Sequence, residues 1–385
     1  MKSISEVLGS LQLLLPLDFD LQEVFESYLT TEHKGFLSLL RVIELCVESF
    51  PEGNQHIGRP SYSVLPFLRA ALAKRYFKIV ATSDLRLRLL SDVNLRQICG
   101  FGKLPSAASF SRYMSYLADK TSLEESLGKM GSIQTISGKL SPTVTVKDYY
   151  KDKSVDSVAR DSTAISAREK PVNKKKDVKA FPQRKRGRPK KGQEREKKSL
   201  TVLEEQGILP LHEAIGGLPS SCAWGCKKNS QGNLSYWKGY KLHLDVTEEG
   251  IPVSAIITGA NVHDSQCAIP LERMTEQRIT FRYCLMDSAY DEKSISQFVR
   301  GRGRIPIIDH NPRRKDLREA FDEATKEHYK KRSVVERANS HLKDWLLPEK
   351  LLVRGIKNVS FELMCGVICL AAIKILEQFI LPSLI

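Results

Sequence analysis

Four polar residues stand at short gaps near the carboxyl end of the chain: Tyr329, Arg332, Glu336 and Lys343. On a continuous α-helix, at about 100° per residue, they would share one stripe only ~60° wide. A carboxylate flanked by two cations and a phenol can hold a metal ion and contact the phosphate oxygens around it. The alternative is a solvated helix face with an i,i+4 Arg–Glu pair, which is common on helices.

Two aspartates could complete a metal site with Glu336. Asp161 ends a predicted strand that begins at Ser154, and Asp287 ends a predicted buried strand that begins at Arg282. If these strands are neighbours and the helix that carries Glu336 packs on them, three hard oxygen ligands converge. Such a set can hold two Mg²⁺ ions ~3.5–4 Å apart, with Mn²⁺ as a substitute, and catalyse phosphoryl transfer.

Other acidic residues nearby are weaker candidates. Asp156 lies five residues before Asp161, so on a regular strand it points to the opposite face of the sheet. Asp264, Asp291 and Asp309 fall in predicted loops or helix starts, where a capping or surface role is favoured over metal binding. We therefore leave these four outside the expected metal site.

The gaps between the four polar residues match a known signature. Tyr329-x2-Arg332-x3-Glu336-x6-Lys343 resembles the Tyr-Arg-Glu-Lys signature of a large branch of bacterial insertion-sequence DDE transposases. Other stretches resemble parts of the same family: Asp161-Ser162-Thr163 its first catalytic aspartate, Leu285 to Tyr290 its second, and Arg59 to Leu117 its amino-terminal helical domain. The resemblance covers nearly the whole chain apart from its first residues and a basic insertion.

The resemblance implies an activity and its participants. Asp161, Asp287 and Glu336 would be the catalytic and metal-binding residues, and the tyrosine, arginine and lysine of the signature would contact DNA. The enzyme would cleave at the ends of an insertion sequence, and the released 3′-hydroxyl would attack target DNA. Partners would be double-stranded DNA, as element ends and as target, and a second copy of the chain, because two ends must be brought together.

Three questions of function stay open at this point. Only 49 positions separate Asp287 from Glu336, whereas some relatives carry an insertion domain there, so a hairpin or another cleavage route is undecided. A catalytically inactive DNA-binding protein derived from a transposase would share the basic charge, but we expect it to have lost at least one carboxylate. A nuclease of the same fold would hydrolyse DNA without strand transfer.

The elements that position these residues form two predicted domains. Residues 1–150 have helical periodicity and capping signals, whereas 151–385 alternate between strand and helix patterns. The second domain is predicted to contain strands at 154–161, 236–246, 251–258, 282–287 and 305–308, helices at 267–277 and 292–300, and a long helix over 315–346. This order predicts an α/β fold, a ribonuclease H-like mixed sheet with flanking helices, preceded by an all-helical N-terminal domain.

The helical domain contains a candidate helix-turn-helix. A short helix from Asn94 to Cys99 is closed by a glycine, and Ser106 can cap the next helix. The outward face of that second helix would carry Ser109, Arg112 and Tyr116, which can contact phosphates or base edges. A helical packing domain without DNA contacts is the alternative.

Composition argues against a membrane or secreted protein. An apolar fraction of 41% and a charged fraction of 27% are typical of globular domains. The longest apolar run, Leu363 to Ile373, is shorter than the ~20 residues of a membrane-spanning helix, so we expect a buried C-terminal helix from about Phe361. Acidic residues surround the amino-terminal Leu-rich stretch, unlike a secretion signal. We expect a bacterial cytoplasmic, nucleoid-associated protein.

A basic insertion at about 168–235 separates the first two strands of the catalytic domain. Residues 168–198 hold 15 Lys and Arg against 4 Asp and Glu, which is +11 of the total +15. Such a concentration favours a polyanionic partner, most often nucleic acid. Lys185 to Lys191 resembles an AT-hook, in which Arg186 and Arg188 would enter the narrow minor groove of A·T-rich DNA. We expect the insertion to be partly disordered without DNA. A plain solvated linker is the alternative to the hook.

Deletion of residues 170–198 should flatten the salt dependence of DNA binding, because each cation that neutralises a phosphate adds about −0.9 to the slope of log affinity against log salt. Replacing Arg186 and Arg188 with Gln should weaken binding more on A·T-rich than on G·C-rich duplexes. Fluorescence anisotropy across a salt series on both duplexes measures this. Equal losses would leave only a generic electrostatic tether, and an unchanged slope would exclude DNA contact.

Overall fold

The computed structural model describes residues 21–46, 62–120, 155–172, 200–228, 231–312 and 320–380. The stretch that resembles an AT-hook, with Arg186 and Arg188, lies outside these ranges. So does the amino-terminal Leu-rich stretch.

The amino-terminal part is helical, as predicted. Its helices are α1 (Leu21–Ser27), α2 (Thr31–Cys46), α3 (Leu65–Tyr76), α4 (Thr82–Ser91), α5 (Val93–Cys99) and α6 (Ala107–Lys120). Gly100 ends α5 in the left-handed region at φ 88°, and the Ser106 hydroxyl accepts a hydrogen bond from the Ser109 backbone N–H at the start of α6. The predicted pair of helices is therefore present. Arg112 is exposed on α6, whereas Tyr116 is partly packed against the core.

A mixed sheet follows the helices, which confirms the predicted fold class. Its strands are β1 (Val155–Ala167), β2 (Ala223–Lys228), β3 (Leu234–Thr247), β4 (Pro252–Gly259), β5 (Phe281–Met286), β6 (Ile305–Ile308) and β7 (Lys350–Leu351). Their order is β2-β3-β1-β5-β6, with β4 also on β3 and β7 also on β1. β1 is antiparallel to β3 and parallel to β5. The predicted strand end at Asp161 is wrong, because pairing with β3 carries β1 on to Ala167.

Part of the predicted basic insertion is folded rather than disordered. Residues 200–228 form α7 (Val202–Ile208), α8 (Leu211–Gly216) and β2. Thr201 and Glu204 make a reciprocal capping box that starts α7. Leu203 of α7 packs against one buried apolar cluster, and Leu211 and Ile215 of α8 pack against another, so this stretch contributes to the core despite its polar composition.

The continuous helix predicted over 315–346 is wrong. In the described residues it is divided into α11 (Glu323–Lys330), α12 (Ser333–His341) and a π-helical turn at Leu342–Leu346, preceded by α9 (Ala268–Glu276) and α10 (Lys293–Gly301). The turn at Lys331 and Arg332 separates α11 from α12. Lys331 there forms ion pairs with Asp156 at 2.8 Å and Glu248 at 3.0 Å, which hold the turn against the ends of two strands.

An apolar helix, α13 (Ile356–Ile375), lies between the sheet and the amino-terminal helices. It begins five residues before the predicted start at Phe361, after Gly355 with φ 81°. By length and composition the segment Ile356–Gln378 could cross a membrane, but 78% of its most apolar window is buried inside the protein. Its Glu362 pairs with Lys74 and Arg75 of α3. It is therefore a core helix that joins the two parts of the chain.

A buried ion network anchors β1 one residue before Asp161. Arg160 is fully buried and makes two hydrogen bonds of 2.7 Å to the Asp245 carboxylate and one of 3.0 Å to Glu272. Its third nitrogen donates to the Ala268 carbonyl at the start of α9. Because a bidentate guanidinium has fixed geometry, the network sets the rotation of β1 on the sheet. It follows that Asp161 is turned to the other face.

Replacing Arg160 with Met should cost about 3–5 kcal/mol of folding free energy, because the buried Asp245 and Glu272 carboxylates would lose their main positive partner. Arg302 is the matched control: it is exposed and pairs with Glu276 at 3.2 Å, so its replacement by Met should cost less than about 1 kcal/mol. Urea denaturation of both variants measures the difference. Similar losses for the two would contradict an anchoring role for Arg160.

Candidate active site

The two predicted catalytic aspartates lie side by side where two parallel strands separate. The last register pair between β1 and β5 joins Arg160 to Met286, and the next residue of each strand is an aspartate, Asp161 or Asp287. Because neighbouring strands lie about 4.8 Å apart, the side chains of Asp161 and Asp287 leave the backbone at adjacent positions. Within the described chain, β1 has no further partner on this edge until it meets β7 at Ser166. Asp161 to Ile165 are thus unpaired on this side of β1, and we call this gap beside the two aspartates the cleft.

Burial makes both carboxylates costly to ionise, and at Asp161 the charge of Asp287 adds to this cost. Burial and the charge of Asp287 raise the pKa of Asp161 to about 6. Burial also raises the pKa of Asp287, although the Ala289 backbone N–H, at 3.0 Å, and the charge of Arg332 oppose the shift. A cation bound near these two carboxylates would stabilise their ionised forms.

Helix α12 contributes an amide that sequence reasoning missed. Asn339 is buried, and its Nδ2 donates a hydrogen bond of 3.1 Å to the Asp161 carboxylate. Its Oδ1 is buried without a hydrogen-bond partner in the described chain. Asn339 thus orients Asp161 and leaves one oxygen acceptor unmatched beside it. Its position three residues after Glu336, on the same side of the helix, was the available signal.

Glu336 is on the same helix but does not lie with the aspartates. Its side chain is 55% exposed, and its carboxylate pairs with the Arg332 guanidinium. In the ranges that the structure describes, no group of three or more His, Cys, Asp or Glu is arranged to hold a metal ion. The physical reason is electrostatic, since a third carboxylate beside a pair that resists ionisation is less stable than an ion pair with Arg332.

The other members of the four-residue signature gather around the cleft despite the helix break. The Arg332 guanidinium lies 5.7 Å from the Tyr329 ring centroid. Burial alone would lower the pKa of Arg332, but Tyr329, Glu336 and the two aspartates together raise it. Burial and the charge of Lys227 lower the pKa of Lys343, whereas Asp161 opposes this shift. Both cations are therefore within electrostatic reach of Asp161.

Asp264 corrects another expectation. Instead of a surface role, its carboxylate accepts a hydrogen bond of 2.9 Å from the Lys241 ammonium, which also donates to the Val262 carbonyl. Burial would raise the pKa of Asp264, but its interactions with His243 and Lys241 lower it. Its charge contributes to the raised pKa of Asp161 and Asp287. Asp264 therefore belongs to the electrostatic surroundings of the aspartate pair.

Family comparison identifies the class of protein that carries this cleft. The family described as Transposase DDE domain matches residues 158–372, more than half of the chain, so the protein belongs to this family of DNA phosphoryl transferases, with a ribonuclease H-like fold. The family described as Transposase domain (DUF772) matches residues 27–115, within the helical part. The chain is thus a DDE transposase. Neither a curated protein nor a solved structure matches it significantly.

In metal-free protein, Asp161→Asn should raise stability at pH 8 and change it little at pH 4. Because the pKa of Asp161 is raised in the folded protein, protonated Asp161 contributes to the free energy of unfolding. This contribution is lost as pH rises through about 6 and Asp161 ionises. A shift of roughly two pKa units corresponds to roughly 2–3 kcal/mol as an upper value. Thermal unfolding in EDTA across this pH range measures the effect.

Asp156→Asn is the matched control on the same strand. Asp156 pairs with Lys331 at 2.8 Å, so its replacement should not stabilise the protein at pH 8. Mg²⁺ should narrow the difference between wild type and Asp161→Asn, because a ligand of the native state stabilises only the protein that binds it. An Asp161→Asn variant no more stable than wild type in EDTA at pH 8 would contradict the raised pKa of Asp161 in the folded protein.

Proposed function

We propose that this transposase cleaves DNA at the ends of a bacterial insertion sequence and joins the released 3′-hydroxyl to target DNA by two-metal-ion phosphoryl transfer. The observation that carries the proposal is the adjacency of Asp161 and Asp287, both with raised pKa, at the gap in the sheet edge. Perturbed carboxylates grouped in a cleft are typical of catalytic sites. The match to the transposase family supports the choice of DNA as substrate.

DDE transposases generally use a divalent metal, and the donors in the cleft fit one. Carboxylate and amide oxygens are hard ligands of the kind that Mg²⁺ and Mn²⁺ accept. Asp161 and Asp287 would hold the ions, with Glu336 as the third carboxylate. Two bound Mg²⁺ ions would supply charge stabilisation for the attacking and leaving oxygens of an in-line displacement.

Glu336 must leave Arg332 before it can bind a metal ion. Since the Glu336 side chain is more than half exposed, little packing opposes its rotation. Its departure would free the Arg332 guanidinium, whose planar donors suit a phosphate oxygen pair. One rearrangement would thus complete the ligand set and create a phosphate contact.

The remaining cations would hold the DNA. Lys343 is partly buried beside another positive charge, so a phosphate oxygen would relieve repulsion there. Tyr329 would support Arg332 through ring contact and can donate its hydroxyl to the backbone of DNA. Outside the cleft, Arg112 would contact the element end, and Arg186 and Arg188 would bind A·T-rich duplex.

One cleft can serve both chemical steps. Water would attack first and leave a 3′-hydroxyl, and that hydroxyl would attack a target phosphodiester in the second step. Both are displacements at phosphorus, for which positioning and charge stabilisation supply most of the catalysis. A homodimer would bring the two ends together.

Replacing Asp161, Asp287 or Glu336 with Ala should reduce cleavage and strand transfer at least ~100-fold in Mg²⁺, because each is a proposed metal ligand. DNA affinity should remain within a few-fold of wild type, since cations and backbone groups supply most contacts to DNA. The substrate is the inverted repeat expected to flank the gene, offered as an intact duplex and as a pre-cut end. Gel assays score both steps.

Glu327→Ala is the matched control for Glu336→Ala, because Glu327 is also an exposed helical glutamate paired with a basic residue one turn away. It should cleave like wild type. Near-normal cleavage by Glu336→Ala would remove Glu336 from the ligand set. Hydrolysis without joining of a pre-cut end would instead identify a nuclease.

A further inference from the structure

Strands β2 and β3 form a two-stranded ribbon that extends beyond the sheet. β1 pairs with β3 as far as Gly239, whereas residues 234–238 of β3 pair only with β2 in the described chain. The ribbon leaves the sheet at Gly239, where its backbone lies close to the backbone of β1. A Cβ at Gly239 would lie only 2.1 Å from the Ile165 carbonyl oxygen. The ribbon is therefore a projecting element with a fixed base.

The two faces of the ribbon differ. On one face the Trp237 ring lies across Gly225, and a Cβ at Gly225 would be 2.3 Å from this ring. The indole N–H of Trp237 donates a hydrogen bond of 3.2 Å to the Tyr240 carbonyl. By register, the other face carries Trp224 opposite Lys238 and Tyr236 opposite Cys226. Trp224 is 60% exposed and Tyr236 64% exposed. Two large aromatic rings beside a lysine are thus presented to solvent.

The ribbon also brings positive charge towards the cleft. Lys227, near the free end of β2, is exposed. Its charge opposes the rise in the pKa of Asp287 and lowers the pKa of Lys343, although by register Lys227 lies on the Trp237 face of the ribbon. Because side chains alternate along a strand, Tyr236 and Lys238 are on the same face of β3 as Leu244, the register partner of Asp161, so the aromatic face of the ribbon and Asp161 lie on the same side of the sheet. A polyanion held at the aspartate pair would therefore pass beside this ribbon.

We infer that the exposed face of the ribbon, formed by Trp224, Tyr236 and Lys238, binds unpaired bases of the DNA strand that enters the active site. Exposed aromatic rings stack on bases of any sequence, and adjacent lysines contact the phosphates between them. Duplex DNA offers no free base faces to such rings, and a basic flank does not suit a membrane core. The inference rests on the proposed function, because it takes DNA at the aspartate pair as given.

Binding of a dye-labelled oligothymidine and of a labelled duplex of equal length is measured by fluorescence anisotropy in EDTA, which prevents cleavage. Trp224→Leu and Tyr236→Leu should each weaken oligothymidine binding roughly tenfold, within the range of a lost base–aromatic stack. Duplex affinity should stay within twofold. Trp224→Phe should keep most of the single-strand affinity, because a ring remains.

Tyr28→Leu is the control, since Tyr28 is 74% exposed in the turn that follows α1, in the amino-terminal helical part rather than on the ribbon. Unchanged oligothymidine affinity in both ribbon variants would overturn the inference. Equal losses on single strand and duplex, or a change in oligomeric state by light scattering, would also overturn it in favour of a general contact or an interface between copies. Binding of oligothymidine is measured in EDTA and cleavage is measured in Mg²⁺, so failure of the proposed base contact and failure of the proposed transposase activity are distinguished.

Discussion

The candidate site depends on a difference between the two edges of β1 at Asp161, where one edge is paired with β3 and the other has lost its pairing with β5. β3 remains hydrogen-bonded to β1 through Ser166, whereas β5 separates after Arg160. The backbone of Asp161 is therefore fixed on one side and open on the other. The fully buried Arg160 prevents a one-residue slip, which would move its guanidinium to the opposite face and place Asp161 in the ion network.

The electrostatics of the cleft favour binding of a cation over stability of the free protein. Asp161 and Asp287 resist ionisation together, and Asp264 adds to the negative potential. The buried helix α13 joins the sheet to the amino-terminal helices in one large apolar cluster. Burial of this cluster offsets the free energy that the ionised aspartates cost the folded protein. Such a trade between stability and site chemistry is common in enzymes.

The helix break and the π-helical turn determine how the signature cations reach the cleft. A straight helix would carry Tyr329 and Lys343 about four turns apart along its axis. Tyr329 keeps its contact with Arg332 across the turn before α12, and Lys343 lies within the π-helical turn. Local π geometry often occurs at functional sites, since it rotates a side chain without ending the helix.

The sequence by itself determined features that depend on neighbours in the chain. These are the spacing of the signature, the presence of β5 just before Asp287, the cap at Ser106, the left-handed Gly100 and the alternation of strand and helix that defines the fold class. Tertiary structure alone decided the division of the long helix, the folding of residues 200–228 and the pairing of Glu336 with Arg332. It also decided that Asn339 binds Asp161, 178 positions away, and that Lys227 acts on the cleft. These outcomes depend on burial and charge contributed by distant segments, which local periodicity does not contain.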